Sequence, residues 1–155
     1  MNETELRNRQ ATAFLVGLEL PSAYRDGWSA AESLDELERL VDTAGATVVG
    51  REVQSRPAPD VATYIGRGKA EEIELLRRQL EFDFVIFDDE LTPVQQRNLE
   101  NIIGCQVLDR TAVILDIFAL RARTREARLQ VELAQLGYRL PRLTGKGVEL
   151  SRQAG

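Results

Sequence analysis

The stretch Phe82-Asp-Phe-Val-Ile-Phe-Asp-Asp-Glu-Leu-Thr-Pro-Val-Gln-Gln-Arg-Asn-Leu-Glu-Asn-Ile-Ile-Gly-Cys-Gln-Val-Leu-Asp109 decides the fold. Its first part, Phe82 to Asp88, is an apolar run with charged ends and reads as a strand. Thr92 then suits a helix N-cap, Pro93 the first helical position, and Gln95 completes a capping box. The helix runs to about Ile103, where Gly104 stops it, and Gln106 to Asp109 is the next strand.

The same alternation extends upstream. Thr12 to Leu20 is a short apolar strand ended by Pro21, and Pro21 to Ser29 is a loop. Ser33 and Glu36 form a capping box, with Ser29 and Glu32 as a competing start. Leu37, Leu40, Val41 and Ala44 then recur at helical spacing, and Gly45 can end the helix. Thr47 to Val53 is a second strand, and Arg56 to Asp60 an extended loop held by its two prolines. Thr63 to Ile65 reads as a further short strand, followed by the turn Gly66-Arg67-Gly68-Lys69 and a helix carrying Ile73, Leu76 and Leu80 on one face. Strands alternating with helices imply an α/β fold: a mostly parallel sheet of about four to five strands flanked by helices.

From Arg110 the pattern changes, and no Pro or Gly interrupts it before Gly137. One long helix is expected from about Thr111 to Leu136. Leu129, Leu133, Leu136 and Leu140 keep a 4-3-4 spacing, a seam for another helix. No partner helix exists in the sequence, so self-association or a poorly ordered arm is expected. The tail from Pro141 to Gly155 reads as loop. The expected organisation is an α/β unit over residues 1–109 and, over 110–155, a basic helix and loop forming the first arm of a helical hairpin.

The chain has 155 residues, 43% of them hydrophobic and 29% charged, an ordinary globular composition that excludes disordered and low-complexity classes. No apolar run approaches the roughly 20 residues of a membrane span. The first ten residues are polar and charged, which excludes a secretory signal peptide. The sequence contains no His and one Cys. This removes His-dependent triads and internal disulfides, leaves Cys105 as a small buried hydrophobe, and points to the cytoplasm. Net charge is −5, unevenly spread: residues 1–109 hold 11 Lys and Arg against 21 Asp and Glu, whereas 110–155 hold 9 against 4. A basic arm on an acidic body suggests a polyanionic partner.

Three constellations bear on chemistry. Thr63-Tyr-Ile-Gly-Arg-Gly-Lys69 is a strand, a Gly-rich turn and a helix start; Gly66, Arg67, Gly68 and Lys69 could cradle phosphate or form only a tight turn. It is not a P-loop, because Thr63 stands where the first Gly belongs and Ala70 follows Lys69. Asp88-Asp89-Glu90, at a strand end, could hold Mg²⁺ or act in acid–base work, or simply place negative charge before a helix N-terminus. Arg121, Arg123, Arg125 and Arg128 crowd into eight residues, with Arg139, Arg142, Lys146 and Arg152 following. On one continuous helix Arg121, Arg125 and Arg128 would share a face and Arg123 would point away. Such a face neutralises backbone phosphates or is merely solvated. Asp42-Thr-Ala-Gly45 copies a D-x-x-G motif but sits at a helix C-terminus, and no guanine-reading N-K-x-D occurs. GTP hydrolysis by these residues alone is therefore not expected, and neither a metal nor a cofactor site is assigned to them.

Ala62-Thr-Tyr-Ile-Gly-Arg-Gly-Lys-Ala-Glu-Glu71, Phe87-Asp-Asp-Glu-Leu-Thr-Pro-Val-Gln-Gln-Arg-Asn-Leu99, Val107-Leu-Asp-Arg-Thr111, Ile114-Leu-Asp-Ile-Phe-Ala119, Arg121-Ala-Arg-Thr-Arg-Glu126 and Leu129-Gln-Val-Glu-Leu-Ala-Gln-Leu136 occur in this order. Together with Tyr138-Arg-Leu-Pro-Arg-Leu143 and Leu150-Ser-Arg-Gln153, this series resembles the N-terminal region of the HflX family of ribosome-associated GTPases. The resemblance implies an α/β subdomain, then a helical hairpin, then a P-loop G domain using GTP and Mg²⁺. The chain would end inside the hairpin loop, with the G domain as its intramolecular partner. The resemblance also implies binding to the large ribosomal subunit and its rRNA near the peptidyl-transferase region, a role in splitting or rescuing ribosomes under stress, and a cytoplasmic setting.

Overall fold

The computed structural model describes residues 10–21 and 27–143. The elements run β1 (Thr12–Glu19), α1 (Ala30–Thr43), β2 (Thr47–Ser55), α2 (Arg67–Leu80), β3 (Phe84–Phe87), α3 (Pro93–Ile103), β4 (Gln106–Asp109), α4 (Arg110–Arg121) and α5 (Arg125–Arg139), then a 3-10 turn, Leu140–Arg142. The four strands form one sheet in the order β2-β1-β3-β4, every pair parallel. The chain leaves β1 for β2 on one side and returns to β3 on the other, so the winding reverses between β1 and β3.

Burial of both sheet faces follows from the unbroken apolar run in β1. Ala13 and Leu15 pack with Leu34, Leu37 and Val41 of α1 and with Val113 and Ile117 of α4. Phe14, Val16 and Leu18 pack on the opposite face with Ile73 of α2 and Leu99 and Ile103 of α3. The α/β core therefore continues through Ile117, inside the segment beginning at Arg110. Phe14 stacks on Phe82 with ring centroids 5.1 Å apart, and Gly50 lies against the Phe14 ring, where a Cβ would come within 2.9 Å. An irregularity in the register between Ala13 and Phe14 gives β2 one extra residue.

The α3 signals are realised in full. The Thr92 hydroxyl accepts from the Gln95 amide, the Gln95 side chain accepts from the Thr92 amide, and Gly104 closes the helix at φ +87°. Three expectations are corrected. The first concerns α1, which begins at Ala30 with Ser29 as its cap, so the competing start prevails over Ser33. Glu19 also accepts from the Ala30 amide, which anchors that earlier start to the end of β1.

The second concerns Thr63 to Ile65, which form no strand. Asp60 and Tyr64 make an isolated antiparallel bridge, and Tyr64 takes a left-handed φ of +64°. The Asp60 carboxylate organises this loop by accepting from the Ala62 and Thr63 amides, which hold its pKa below the usual carboxylate range.

The third concerns the long helix expected over residues 111–136, which is two helices. Ala122 leaves helical geometry at ψ 119°, and Thr124 caps a new helix by accepting from the Ala127 amide. The break lets α5 fold back antiparallel along α4, so Gln135 reaches Asp116 and Tyr138 reaches Asp109. The expected loop segments at residues 22–26 and 144–155 lie outside the described residues.

Candidate functional site

In doubly wound sheets, ligands bind beyond the strand C-termini where the winding reverses. Here that crevice is filled from within by Arg110. Its guanidinium donates to the Asp88 carboxylate at 2.8 and 3.0 Å, to Glu36 at 2.8 Å and to the Ser33 carbonyl at 3.1 Å. Burial opposes its charge, but Asp88 and Glu36 outweigh that and raise its pKa. The network pins the end of β3 to the starts of α1 and α4.

The three consecutive carboxylates are dispersed rather than gathered. Asp88 is 3% exposed and serves Arg110. Asp89 accepts from the Tyr64 hydroxyl, and Glu90 lies 3.8 Å from Arg142. No group of three metal-ligating side chains occurs among the described residues.

The Gly66 turn is likewise committed to internal contacts. The Gly66 amide donates to Gln54 at 2.8 Å. Lys69 pairs with Glu72 at 2.9 Å and Glu52 at 3.3 Å, which raise its pKa against the effect of burial. Arg67 pairs with Glu71, and Gly68 faces open space. Cys105 is half-buried, and burial pushes its thiol pKa up.

The far end of the chain carries a latch invisible in the sequence. Asp109 is 1% exposed and accepts from three groups: the amides of Ala112 and Leu91 and the hydroxyl of Tyr138. Burial, then the Asp109 carboxylate, push the Tyr138 phenol pKa well up. Arg142 lies over the Tyr138 ring, 3.7 Å from its centroid, and donates to the Leu91 carbonyl at 2.6 Å. With its side chain only 12% exposed, Arg142 holds the arm to the body rather than offering a free cation. Beneath the arm lies a cavity of about 530 Å³, with Phe84, Leu108, Leu115 and Tyr138 among its walls.

The face of α5 turned to the body carries Ala127, Val131, Gln135 and Tyr138, all partly buried. The leucine seam points the other way: Leu129, Leu133, Leu136 and Leu140 are 54–72% exposed. Arg121, Arg125 and Arg128, expected on one helical face with Arg123 pointing away, instead surround the break together with Arg123. Arg121 ends α4, Arg123 lies in the turn, Arg125 begins α5, and Arg128 reaches back to the Ala122 carbonyl at 3.4 Å. All four are exposed, and none forms an ion pair among the described residues. Arg139 approaches Asp116 at 3.7 Å. Lys146 and Arg152 lie outside the described residues.

Family models match this chain from the first turn of α1 onward. The GTP-binding GTPase N-terminal model matches residues 31–119, and the GTP-binding GTPase middle-region model matches residues 121–155. The chain belongs to the HflX family of GTPases. A GTPase HflX from Alkalihalophilus pseudofirmus is 53% identical over 124 residues, covering 80% of this chain and 29% of that protein. The GTPase HflX of Escherichia coli is 47% identical over 124 residues, with the same coverage. A crystal structure of a GTP-binding protein from Sulfolobus solfataricus in complex with GDP superposes with a TM-score of 0.61 at 28% identity, covering 92% of this chain and 42% of that one. The match to the curated HflX proteins thus spans less than a third of their length and is confined to their N-terminal part. Among the described residues, no helix is long and apolar enough to cross a membrane.

Proposed function

We propose that this chain is the large-subunit-rRNA-contacting part of a cytoplasmic HflX-type GTPase that splits or rescues ribosomes under stress. In the whole protein, GTP and Mg²⁺ are handled by a G domain, and the exposed leucine stripe is a surface for a helix from that remainder or from a second copy. The observation that carries the reading is the turn between α4 and α5, where Arg121, Arg123, Arg125 and Arg128 stand exposed and, among the described residues, without carboxylate partners. Elsewhere in the body cations are commonly matched, as in Arg51 with Asp35 or Arg78 with Glu74. Of the other basic residues expected to contact RNA, Arg139 is loosely paired and Arg142 is occupied by the latch, while Lys146 and Arg152 would add charge from beyond the described residues.

The test is the salt dependence of binding to large-subunit rRNA. Each phosphate contact contributes roughly 0.7 to 0.9 to the log–log slope. Replacing Arg121, Arg125 and Arg128 with Gln should flatten the slope by about 2, while Arg78→Gln with Arg97→Gln on the body leaves it unchanged. Equal slopes for the two variants would show the turn to be an ordinary solvated surface.

A further inference from the structure

The two edges of the sheet are treated differently. At β4 the outward groups of Val107 are taken: its amide donates to Glu100 at 3.2 Å, and its carbonyl accepts from Gln96 at 2.8 Å. At β2, nine residues long, no such cover exists among the described residues. Hydrogen bonds from Thr47 to Ala11 and from Arg56 to Glu19 set which β2 residues bond to β1. Bonding in a parallel ladder alternates along each strand. With the register past the irregularity, Gly50, Glu52 and Gln54 therefore face β1, while Arg51, Val53 and Ser55 turn amide and carbonyl outward. All three are exposed.

Both flanks of this edge are acidic. On the α1 side, a groove of about 460 Å³ is lined by Asp35, Glu38 and Asp42 against a single cation, Arg39. On the α2 side stand Glu52 and Glu72, sharing Lys69. Arg51 is already bound to Asp35 at 2.7 Å. We propose that the β2 edge takes up an extended, Lys- and Arg-rich polypeptide strand, paired through the backbone of Arg51, Val53 and Ser55 and steered by these carboxylates. Exposed edges accept such strands, with main-chain bonds giving affinity and flanking side chains giving specificity. A second copy of the chain fits poorly. Antiparallel self-pairing brings two acidic α1 faces side by side, where like charges repel. The inference goes beyond the RNA reading and does not depend on the arginine turn.

The probe is a fluorescent seven-residue peptide of alternating Lys and Val, tested with the 155-residue chain. Binding should slow amide exchange at Arg51, Val53 and Ser55. The same peptide N-methylated at alternate residues keeps its charge but loses two or three main-chain donors; it should bind about tenfold or more weakly. Val53→Pro removes only an outward amide, which an edge strand tolerates, and should cause a similar loss. Equal affinity for the N-methylated peptide would reduce the interaction to charge adhesion and overturn the proposal. So would exchange protection confined to other segments, the absence of binding, or a dimer abolished by Val53→Pro in a chain that ignores the peptide.

Discussion

Replacing Tyr138 with Phe should release the α5 arm while leaving the body folded. The ring stays, and with it the contact to the Arg142 guanidinium 3.7 Å away. What goes is one charge-assisted hydrogen bond to Asp109, worth about 1.5–3 kcal/mol. Asp109 keeps its bonds from the Leu91 and Ala112 amides, so no bare charge is left and the lower half of that range applies. About 1.5 kcal/mol corresponds to roughly a tenfold rise in local opening.

Hydrogen exchange read by mass spectrometry should show that acceleration across residues 125–139, with β1 and β3 unchanged. Alkaline pH provides the companion test. The folded Tyr138 pKa is raised above an unfolded value near 10, so its contribution is intact below about pH 10 and falls above it as the open form loses its proton first. The limiting slope is about 1.4 kcal/mol per pH unit, and solvent screening of the partly buried phenol narrows the pH range over which it applies. Tyr138→Phe should lack this alkaline loosening of α5. Unchanged exchange in the variant, or acceleration spread evenly over the chain, would refute the latch.

Arg110→Met should cost about 3–5 kcal/mol in urea unfolding, because Asp88 would keep a buried charge without its cation; a loss below 1 kcal/mol would contradict that account. Gly50→Ala should lower stability by about 1–3 kcal/mol, since the new methyl meets the Phe14 ring at 2.9 Å and disturbs its stack on Phe82; an unchanged Tm would show that the ring yields freely. Thr92→Ala removes half of the α3 capping box and should cost about 1 kcal/mol by the same measurement.

The body was legible because its signals are local. Apolar runs mark β1 and β3, and the Thr92 box with Gly104 brackets α3. Where long-range contacts decide, the sequence misleads. Thr63-Tyr-Ile65 has strand composition, but Asp60, with Gln95 of α3, curls it into a loop. The break at Ala122 has neither Gly nor Pro to announce it; Thr124 followed by Glu126 was the available clue to a second N-terminus. The 4-3-4 spacing of the leucine seam has the pattern of a packing face, yet its leucines are exposed. The face that packs uses Gln135 and Tyr138, whose partners Asp116 and Asp109 precede them by 19 and 29 residues. Arg110 follows directly on a strand end, but its partners Ser33 and Glu36 are 77 and 74 residues away. Regrouping the arginines around a turn likewise needed the fold.

The covered β4 edge has a consequence for assembly. Among the described residues, strand addition to this sheet has a valency of one, because β2 is open while Gln96 and Glu100 occupy Val107. A fibre built by sheet extension needs two open edges per subunit, so growth from the native state ends after a single addition. That restraint depends on two side chains of one helix. If α3 docks late in folding, the chain is briefly divalent, and its aggregation should track the lifetime of that interval rather than the stability of the finished fold.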